Sequence, residues 1–288
     1  MSRWRRHRRW WLLAIAFAAV VVIVAAYGFG ETYWTQVKQY EFTSPDVPAE
    51  FDGTRIVLVT DIHRSHWFSQ QRVGSLVRRV NALGPDLIIL GGDYVYKDTA
   101  WAPSCFAELK NLRAPLGVFG VLGNHDYGDY KNGRGDPAPV TQAMQGAGIS
   151  LLRDSGVWIQ KGGGRIRVGG VSDSKADRPQ PGGAVGTAGP SDFVLLVSHE
   201  PDLAESLAPG AVDLVLSGHT HGGQVTFFGL FAFHVPSDYG QKYRTGMVGN
   251  GKNTVVVSNG VGTSTAPFRF FARPQIVVIT LHRGNPQP

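Results

Sequence analysis

The hydrophobic pattern of the chain begins with one long apolar segment. Residues 10–27, WWLLAIAFAAVVVIVAAY, contain no charged side chain. Eighteen helical residues extend about 27 Å, which is close to the hydrocarbon thickness of a bilayer. A core helix would show a polar stripe, and this run has none. The pattern therefore predicts a membrane-spanning or export helix near the N-terminus.

Charges on either side of this apolar segment predict its orientation. Five arginines precede it, whereas the residues that follow are mostly acidic. The positive-inside rule then places the N-terminus in the cytoplasm and the rest of the chain outside. Two versions stay open, an uncleaved signal anchor or a signal peptide cut near Ala25 and Ala26, and RRWWLL also resembles a twin-arginine export signal.

Short apolar runs alternate with helical patterns from residue 54 onward. The helical patterns cover 71–83 and the region around 105–112. Apolar runs with this continuous character form strands that are buried on both faces, in sheets covered by helices. The strand candidates are RIVLVT, DLIIL, LGVFGVL, RIRVGGV, FVLLVS, VDLVLS, TVVVSN and QIVVITL. The pattern predicts an α/β fold.

Glycine and proline divide the rest of the chain. A connector is predicted over 30–53, where two prolines precede the first strand, and the folded domain is predicted over 54–288. The segments 128–139 and 174–191 are predicted surface loops, and the glycines at 162–164 a hairpin turn. Residues 1–29 make up the basic cytoplasmic tail and the transmembrane or signal-anchor helix.

Composition limits the chemistry that the domain can use. Its single cysteine, Cys105, excludes an intramolecular disulfide and a cysteine-based zinc site, so any metal must be bound by nitrogen and oxygen. The five arginines of the tail account for all but one unit of the net charge of +6. Because the remaining charge is near neutral, no specific nucleic-acid partner is expected.

Residue types that bind metals follow the predicted strands. Each comes at the C-terminal end of an apolar run, where the loops of an α/β sheet converge. Two divalent ions need a bridging anionic ligand and about three further ligands each, which this set provides. The residues are Asp61, His63, Asp93, Asn124, His125, His199, His219 and His221.

The blocks DIH, GD, GNHD, H and GHTH, in this order, resemble the motifs of the calcineurin-like metallophosphoesterase family. The segments around 198–207 and 257–281 look like its membrane-associated or exported bacterial phosphodiesterase branch, of the YkuE and YaeI type. The resemblance covers nearly all of residues 54–281. It implies a four-layer αββα sandwich as the catalytic domain, preceded by one N-terminal transmembrane helix.

The resemblance also implies a role for each matching residue. Asp61, His63 and His221 would bind the first ion, Asp93 would bridge, and Asn124, His199 and His219 would bind the second. The ions would be two divalent cations, manganese, iron or zinc.

His125 would stabilise the phosphoryl oxygens and protonate the leaving alcohol, and Asp126 would orient it. The reaction implied is hydrolysis of a P–O bond in a phosphate ester, specifically a phosphodiester, by attack of metal-bound hydroxide.

Some substrate contacts and two other functions stay open. Arg64 and His66, where the first motif departs from the family's usual sequence, either face the phosphate or lie in solvent, and Gln224, Tyr243 and Arg269 are candidates for the pocket rim. One alternative is a pyrophosphatase acting on a nucleotide-linked or lipid-linked sugar. The other is a non-catalytic metal-binding interaction module, which predicts a broken ligand set or a missing His125, and neither is found in this sequence.

Overall fold

Two six-stranded mixed sheets stack face to face in the computed structural model of the chain. The structure describes residues 3–132 and 134–285. Outside the described residues lie the start of the predicted basic tail, one residue of the predicted loop 128–139 and the end of the predicted domain. The helices are α1 (Arg3–Glu31), α2 (Gln70–Ala82), α3 (Ala102–Leu109), α4 (Ala138–Gly146) and α5 (Pro181–Val185).

The first sheet has the strand order β1-β14-β2-β3-β4-β5. Strands β2 to β5 are parallel, β14 is antiparallel to β2, and β1 is parallel to β14. Their bounds are β1 (Gln36–Ser44), β2 (Arg55–Val59), β3 (Leu87–Leu90), β4 (Val118–Gly120), β5 (Ser150–Leu151) and β14 (Gln275–Arg283).

The second sheet has the order β12-β13-β9-β8-β7-β6, with antiparallel strands at both edges. A separate hairpin consists of β10 (Thr226–Phe227) and β11 (Phe231–Ala232). The strands of the sheet are β6 (Ser155–Lys161), β7 (Gly164–Gly170), β8 (Val194–Val197), β9 (Leu214–Ser217), β12 (Gly246–Gly249) and β13 (Thr254–Val257). Lys161 pairs with Gly164, so the predicted turn at 162–164 is confirmed.

Burial on both faces explains why these runs form central strands. In β2, Ile56 and Leu58 pack between the sheets, whereas Val57 and Val59 pack beneath the helices. Helices α2, α3 and α4 cover the outer face of the first sheet. The outer face of the second is covered by α5 and a 3-10 turn at Pro201–Ser206. The predicted α/β fold with four layers is therefore confirmed, with a thin fourth layer.

The structure corrects the predicted connector 30–53. Strand β1 lies inside it and pairs with β14 along its nine residues. It is an edge strand, so Phe42 and Ser44 are buried while Lys38 and Gln39 are exposed. A strand with one covered face and a free edge needs few apolar residues, which is why an apolar-run pattern does not reveal it.

The segment 174–191, predicted as a surface loop, also contains regular structure. Helix α5 lies within it and packs against β6 and β7. The Arg167 guanidinium holds it in place by donating to the carbonyl oxygen of Ala184 at 3.0 Å. Glycine has a low helix propensity, so a helix this short with glycines at both ends is not predicted from the sequence pattern.

Candidate metal centre

The predicted metal ligands come together where strands of both sheets end. Asp61 and His63 follow β2, Asp93 follows β3, and Asn124 follows β4. His199 follows β8, and His219 and His221 follow β9. All seven are buried or partly buried.

Distances between the ligand atoms divide the centre into two adjoining groups. In the first, His221 Nε2 lies 3.0 Å from His63 Nε2 and 3.4 Å from Asp61 Oδ1. In the second, His199 Nε2 lies 3.2 Å from Asp93 Oδ2. The same Asp93 oxygen is 3.5 Å from His63 Nε2, so Asp93 stands between the groups. Neighbouring ligands about 2.1 Å from one ion are about 3.0–3.4 Å apart, so these spacings suit cations.

Buried acceptor atoms without partners support the same interpretation. His199 Nδ1 lies 2.7 Å from the carbonyl oxygen of Gly91; donation to that oxygen leaves Nε2 as a lone-pair acceptor. Asn124 Nδ2 lies 3.2 Å from the Tyr130 hydroxyl, which leaves Oδ1 free. Both His199 Nε2 and Asn124 Oδ1 are buried and accept no hydrogen bond from the residues that the structure describes. Unsatisfied buried acceptors are costly, and a cation would satisfy both, so the residues fit a metal centre.

The backbone of the centre adopts a rare conformation. A left-handed φ is uncommon outside glycine, costs free energy and concentrates at functional sites. Backbone hydrogen bonds between the loops hold it here, with the amides of Asp61 and His63 donating to Gly92 and Asp93. The ligand positions with φ between 50° and 65° are Asp61, His63, Asp93, His219 and His221.

Gly123 allows the two sheets' ligands to approach each other. A Cβ atom at this position would lie 2.4 Å from Asp93 Oδ1 and 2.7 Å from His199 Cε1. Because neither ligand can withdraw without leaving the centre, the position requires glycine.

Charges within the centre are strongly coupled. Burial raises the pKa of Asp93, but the His199 ring above all outweighs burial and holds the pKa well below its usual range. Burial lowers the pKa of His199, but Asp93 outweighs this effect and raises the pKa well above its usual value. In the metal-free protein a proton on His199 supplies positive charge beside Asp93; a divalent cation would supply that charge instead and would take the Nε2 lone pair that the proton leaves.

His125 lies on the open side of the centre. Its ring centroid is 5.1 Å from that of His63 and 4.8 Å from that of Tyr96, and its backbone amide donates to Asp93 Oδ1 at 2.8 Å. Burial lowers the pKa of His125 to about 4, so the ring is neutral at pH 7. An anionic phosphoryl group beside the ring would raise its pKa, as protonation of a leaving group requires.

The structure corrects the role expected for Asp126. Its carboxylate accepts hydrogen bonds from the backbone amides of Asp93, Tyr94, Val95 and Gly123 at 2.8–3.3 Å. The His125 ring donates none of them, and His125 Nδ1 has no hydrogen-bond partner within residues 3–132 and 134–285. Asp126 therefore fixes the backbone that carries Asp93 and does not orient the imidazole. Sequence patterns do not show which backbone amides a carboxylate will meet.

A cavity of about 620 Å³ opens beside the centre, and its lining includes Asp93, Asn124, His125, His219 and His221. Lys131 and Lys175 line it too, and sequence analysis missed both. They lie in the predicted loops 128–139 and 174–191. The signal that could have identified them is that each loop follows the C-terminal end of a strand, as the metal ligands do.

Three of the five predicted substrate contacts, Gln224, Arg64 and His66, lie in loops, and they differ in where their side chains point. Gln224 lines the cavity, and its side chain bonds the backbone of Ser264. Arg64 points away from the cavity, donating to Ser104 and stacking on Trp101 at 4.4 Å. His66 is exposed to solvent. Of these three, only Gln224 lines the cavity.

The other two, Tyr243 and Arg269, are fully buried and do not form a pocket rim. Tyr243 packs under the second sheet, and its hydroxyl donates to Glu205 at 2.6 Å. Arg269 donates to the carbonyl oxygens of Gly262 and His221. Arg269 thus holds the loop that carries His221, because a buried guanidinium must satisfy its donors internally.

Comparison with known proteins agrees with this geometry. Residues 54–223 match the model of the family described as calcineurin-like phosphoesterase. The chain is 29% identical to the uncharacterized metallophosphoesterase YkuE of Bacillus subtilis, covering 93% of this chain and 94% of that protein. It is 28% identical to the phosphodiesterase YaeI of Escherichia coli, covering 92% and 96%. A zebrafish transmembrane protein with metallophosphoesterase domain is 26% identical, covering 92% of this chain and 62% of that protein.

Proposed function

The chain belongs to the calcineurin-like phosphoesterase family, and we propose that it is a phosphodiesterase that uses two divalent metal ions. The observation that carries the proposal is Asp93, whose Oδ2 lies 3.2 Å from His199 Nε2 and 3.5 Å from His63 Nε2. A carboxylate between two groups of ligands is the bridging arrangement that a metal pair requires. The similarity to YaeI, which is named a phosphodiesterase, supports the choice of a diester.

The proposed ligands are those that the motifs indicate. When bound, the two ions would supply Lewis-acid charge to a phosphoryl oxygen. The first would be held by Asp61, His63 and His221, the second by Asn124, His199 and His219, with Asp93 shared.

The other residues of the cavity would bind and orient the ester. Lys131 and Lys175 give the rim positive charge that attracts an anionic substrate. Gln224 is held by Ser264, so its position on the cavity wall is fixed before a substrate arrives. His125 would hold the proton that the leaving oxygen takes up.

Replacing His125 tests this proposal. We expect His125→Ala to lose about 10²–10⁴-fold in kcat for bis-p-nitrophenyl phosphate with manganese, because general acid catalysis contributes that much. The variant should retain the manganese content of the wild type. The matched control is His282→Ala, which removes an exposed histidine of β14. Unchanged activity in the His125 variant would contradict the role of His125 as the general acid. If the wild type cleaves neither diesters nor pyrophosphates, the proposal that the protein is a hydrolase is refuted.

We also propose that α1 spans the cytoplasmic membrane, with the N-terminus inside and the catalytic domain outside. Within the part of the chain that the structure describes, α1 is long and apolar enough to cross a bilayer, and its side chains from residue 7 to residue 26 are exposed. The name of the zebrafish relative supports a membrane location. Protease added to intact spheroplasts should degrade the domain. Mass spectrometry of the N-terminus will show whether the segment is retained, and a protected domain would contradict the orientation.

A further inference from the structure

Helix α1 joins the domain at the same edge that carries the metal centre. Strand β1 starts beside the start of β14, where the Gln36 amide donates to Pro274 O at 2.8 Å. Because β14 is antiparallel to β2, its start lies beside the end of β2, which leads into Asp61. The end of α1 and the metal centre therefore share one edge of the first sheet.

The last turn of α1 is fixed to the domain. The Glu31 carboxylate is fully buried and accepts hydrogen bonds from the backbone amides of Phe271 and Ala272, both at 2.8 Å. Arg269 N donates to the carbonyl oxygen of Gly28 at 2.9 Å. A membrane that contains α1 consequently meets the domain in one defined orientation.

A row of six aromatic rings, which we call the aromatic ridge, runs from α1 to the cavity. Neighbouring ring centroids along it are 5.0–5.4 Å apart. Its last ring lines the cavity that exposes the metal ligands. In order, the rings are those of Tyr27, Phe271, Phe228, Phe227, Phe231 and Phe233.

The aromatic ridge is far more exposed than apolar side chains of its size usually are. Phe228 is 61% exposed, Phe233 69% and Leu230, at the tip of the hairpin, 75%. Five of the seven residues 227–233 are exposed large apolar residues. A contiguous apolar surface of this kind marks a partner or a membrane.

We propose that the aromatic ridge lies in the interfacial layer of the bilayer beside α1, so that the cavity takes a phosphodiester that carries an acyl or alkyl chain. The apolar run of α1 ends at Tyr27, the first ring of the ridge, which sets the ridge at the level of the membrane surface. Aromatic side chains favour that layer. Val225, Phe233 and Pro236 give the lining of the cavity an apolar part beside the metal ligands, which suits such a chain. This proposal rests on the proposed membrane span and the proposed hydrolysis.

Spin labels test the membrane contact without using activity. The full chain carrying Leu230→Cys is labelled and reconstituted in vesicles of phosphatidylethanolamine and phosphatidylglycerol, and collision rates with oxygen and with a water-soluble nickel chelate are measured. Cys105 is fully buried and does not take up the label. The matched control is Arg113→Cys, which is exposed in the loop before β4, at the opposite edge of the sheet.

We expect the ratio of oxygen to nickel collisions to be higher for the label at Leu230 than for the label at Arg113. A third label, at Val20→Cys, reports the membrane span alone. If Val20 lies in lipid while Leu230 is as accessible to nickel as Arg113, the ridge proposal is overturned and the span stands. If the label at Leu230 is exposed to water and its spectrum shows spin–spin broadening, two copies of the chain contact each other there, and the ridge proposal is overturned.

Kinetics test the substrate class. The wild type should hydrolyse hexadecyl p-nitrophenyl phosphate in the same vesicles. The double variant Phe228→Ser/Leu230→Ser should lose at least about tenfold on this ester, because exposing even one of the two side chains has an effect of that size. The double variant should keep its rate on bis-p-nitrophenyl phosphate in detergent, which shows that the fold and the proposed hydrolysis are intact. Equal losses on both esters, or no loss on either, would overturn the proposal.

Discussion

Replacing Asp126 with asparagine separates two roles that the sequence alone leaves together. If Asp126 orients the His125 ring, Asp126→Asn reduces activity and leaves metal binding unchanged. If it holds the backbone of Asp93, as its four amide hydrogen bonds indicate, the same change weakens metal binding and the fold. We predict the second result.

The size of the effect follows from those hydrogen bonds. Asparagine keeps one oxygen, so two buried amides lose their acceptor and face an NH₂ group. A buried donor that loses its acceptor costs about 1–3 kcal/mol, so the free energy of unfolding should fall by about 2–6 kcal/mol. Loss of a group that supports metal ligands typically costs 10–100-fold in metal affinity, and we expect that loss for manganese.

Urea unfolding and calorimetric titration with manganese measure the two effects. The matched control is Asp213→Asn, in which a carboxylate away from the centre, whose two oxygens accept from Val194 N and the Ser44 hydroxyl, loses one of its two acceptors. It should lower stability and leave manganese affinity unchanged. Asp126 does not have this role if Asp126→Asn matches the wild type in stability and manganese affinity while losing as much activity as His125→Ala.

Two further predictions concern charge. Burial and the Glu200 carboxylate raise the pKa of Asp173, so the folded, metal-free protein binds a proton that the unfolded chain loses near pH 4. The free energy of unfolding of the metal-free protein should therefore fall as the pH rises above 4, by up to about 1.4 kcal/mol per pH unit. Urea unfolding should show this pH dependence for the wild type and not for Asp173→Asn. The same pH dependence in both proteins would contradict the prediction. Replacing both cavity lysines, in Lys131→Ala/Lys175→Ala, should raise KM about tenfold at low salt with little change in kcat, because the lysines attract the anionic substrate. At high salt the initial rates of the variant and the wild type should converge. A fall in kcat alone would contradict this attraction.

The central strands and the metal ligands were predictable from sequence because each depends on local pattern. β2, β3 and β9 are continuous apolar runs since both their faces are buried, and the polar residues directly after them meet because parallel strands share an edge. Strand β1 was missed because its polar residues face solvent at the sheet edge.

Features that depend on tertiary contacts could not be predicted in this way. Asp126 accepts hydrogen bonds from backbone amides of another loop. Arg269 donates to backbone carbonyl oxygens that come near it only in the folded chain. Neither contact has a signature in sequence spacing. Lys131 and Lys175 lie in glycine- and proline-rich loops, whose paths local patterns do not determine.

Anomalous diffraction from crystals of the manganese-loaded protein shows whether Asp93 bridges two metal ions. We expect two manganese peaks about 3.5–4 Å apart, the spacing of two-metal hydrolytic sites, with Asp93 between them. A single peak, or two peaks that Asp93 does not join, would contradict it.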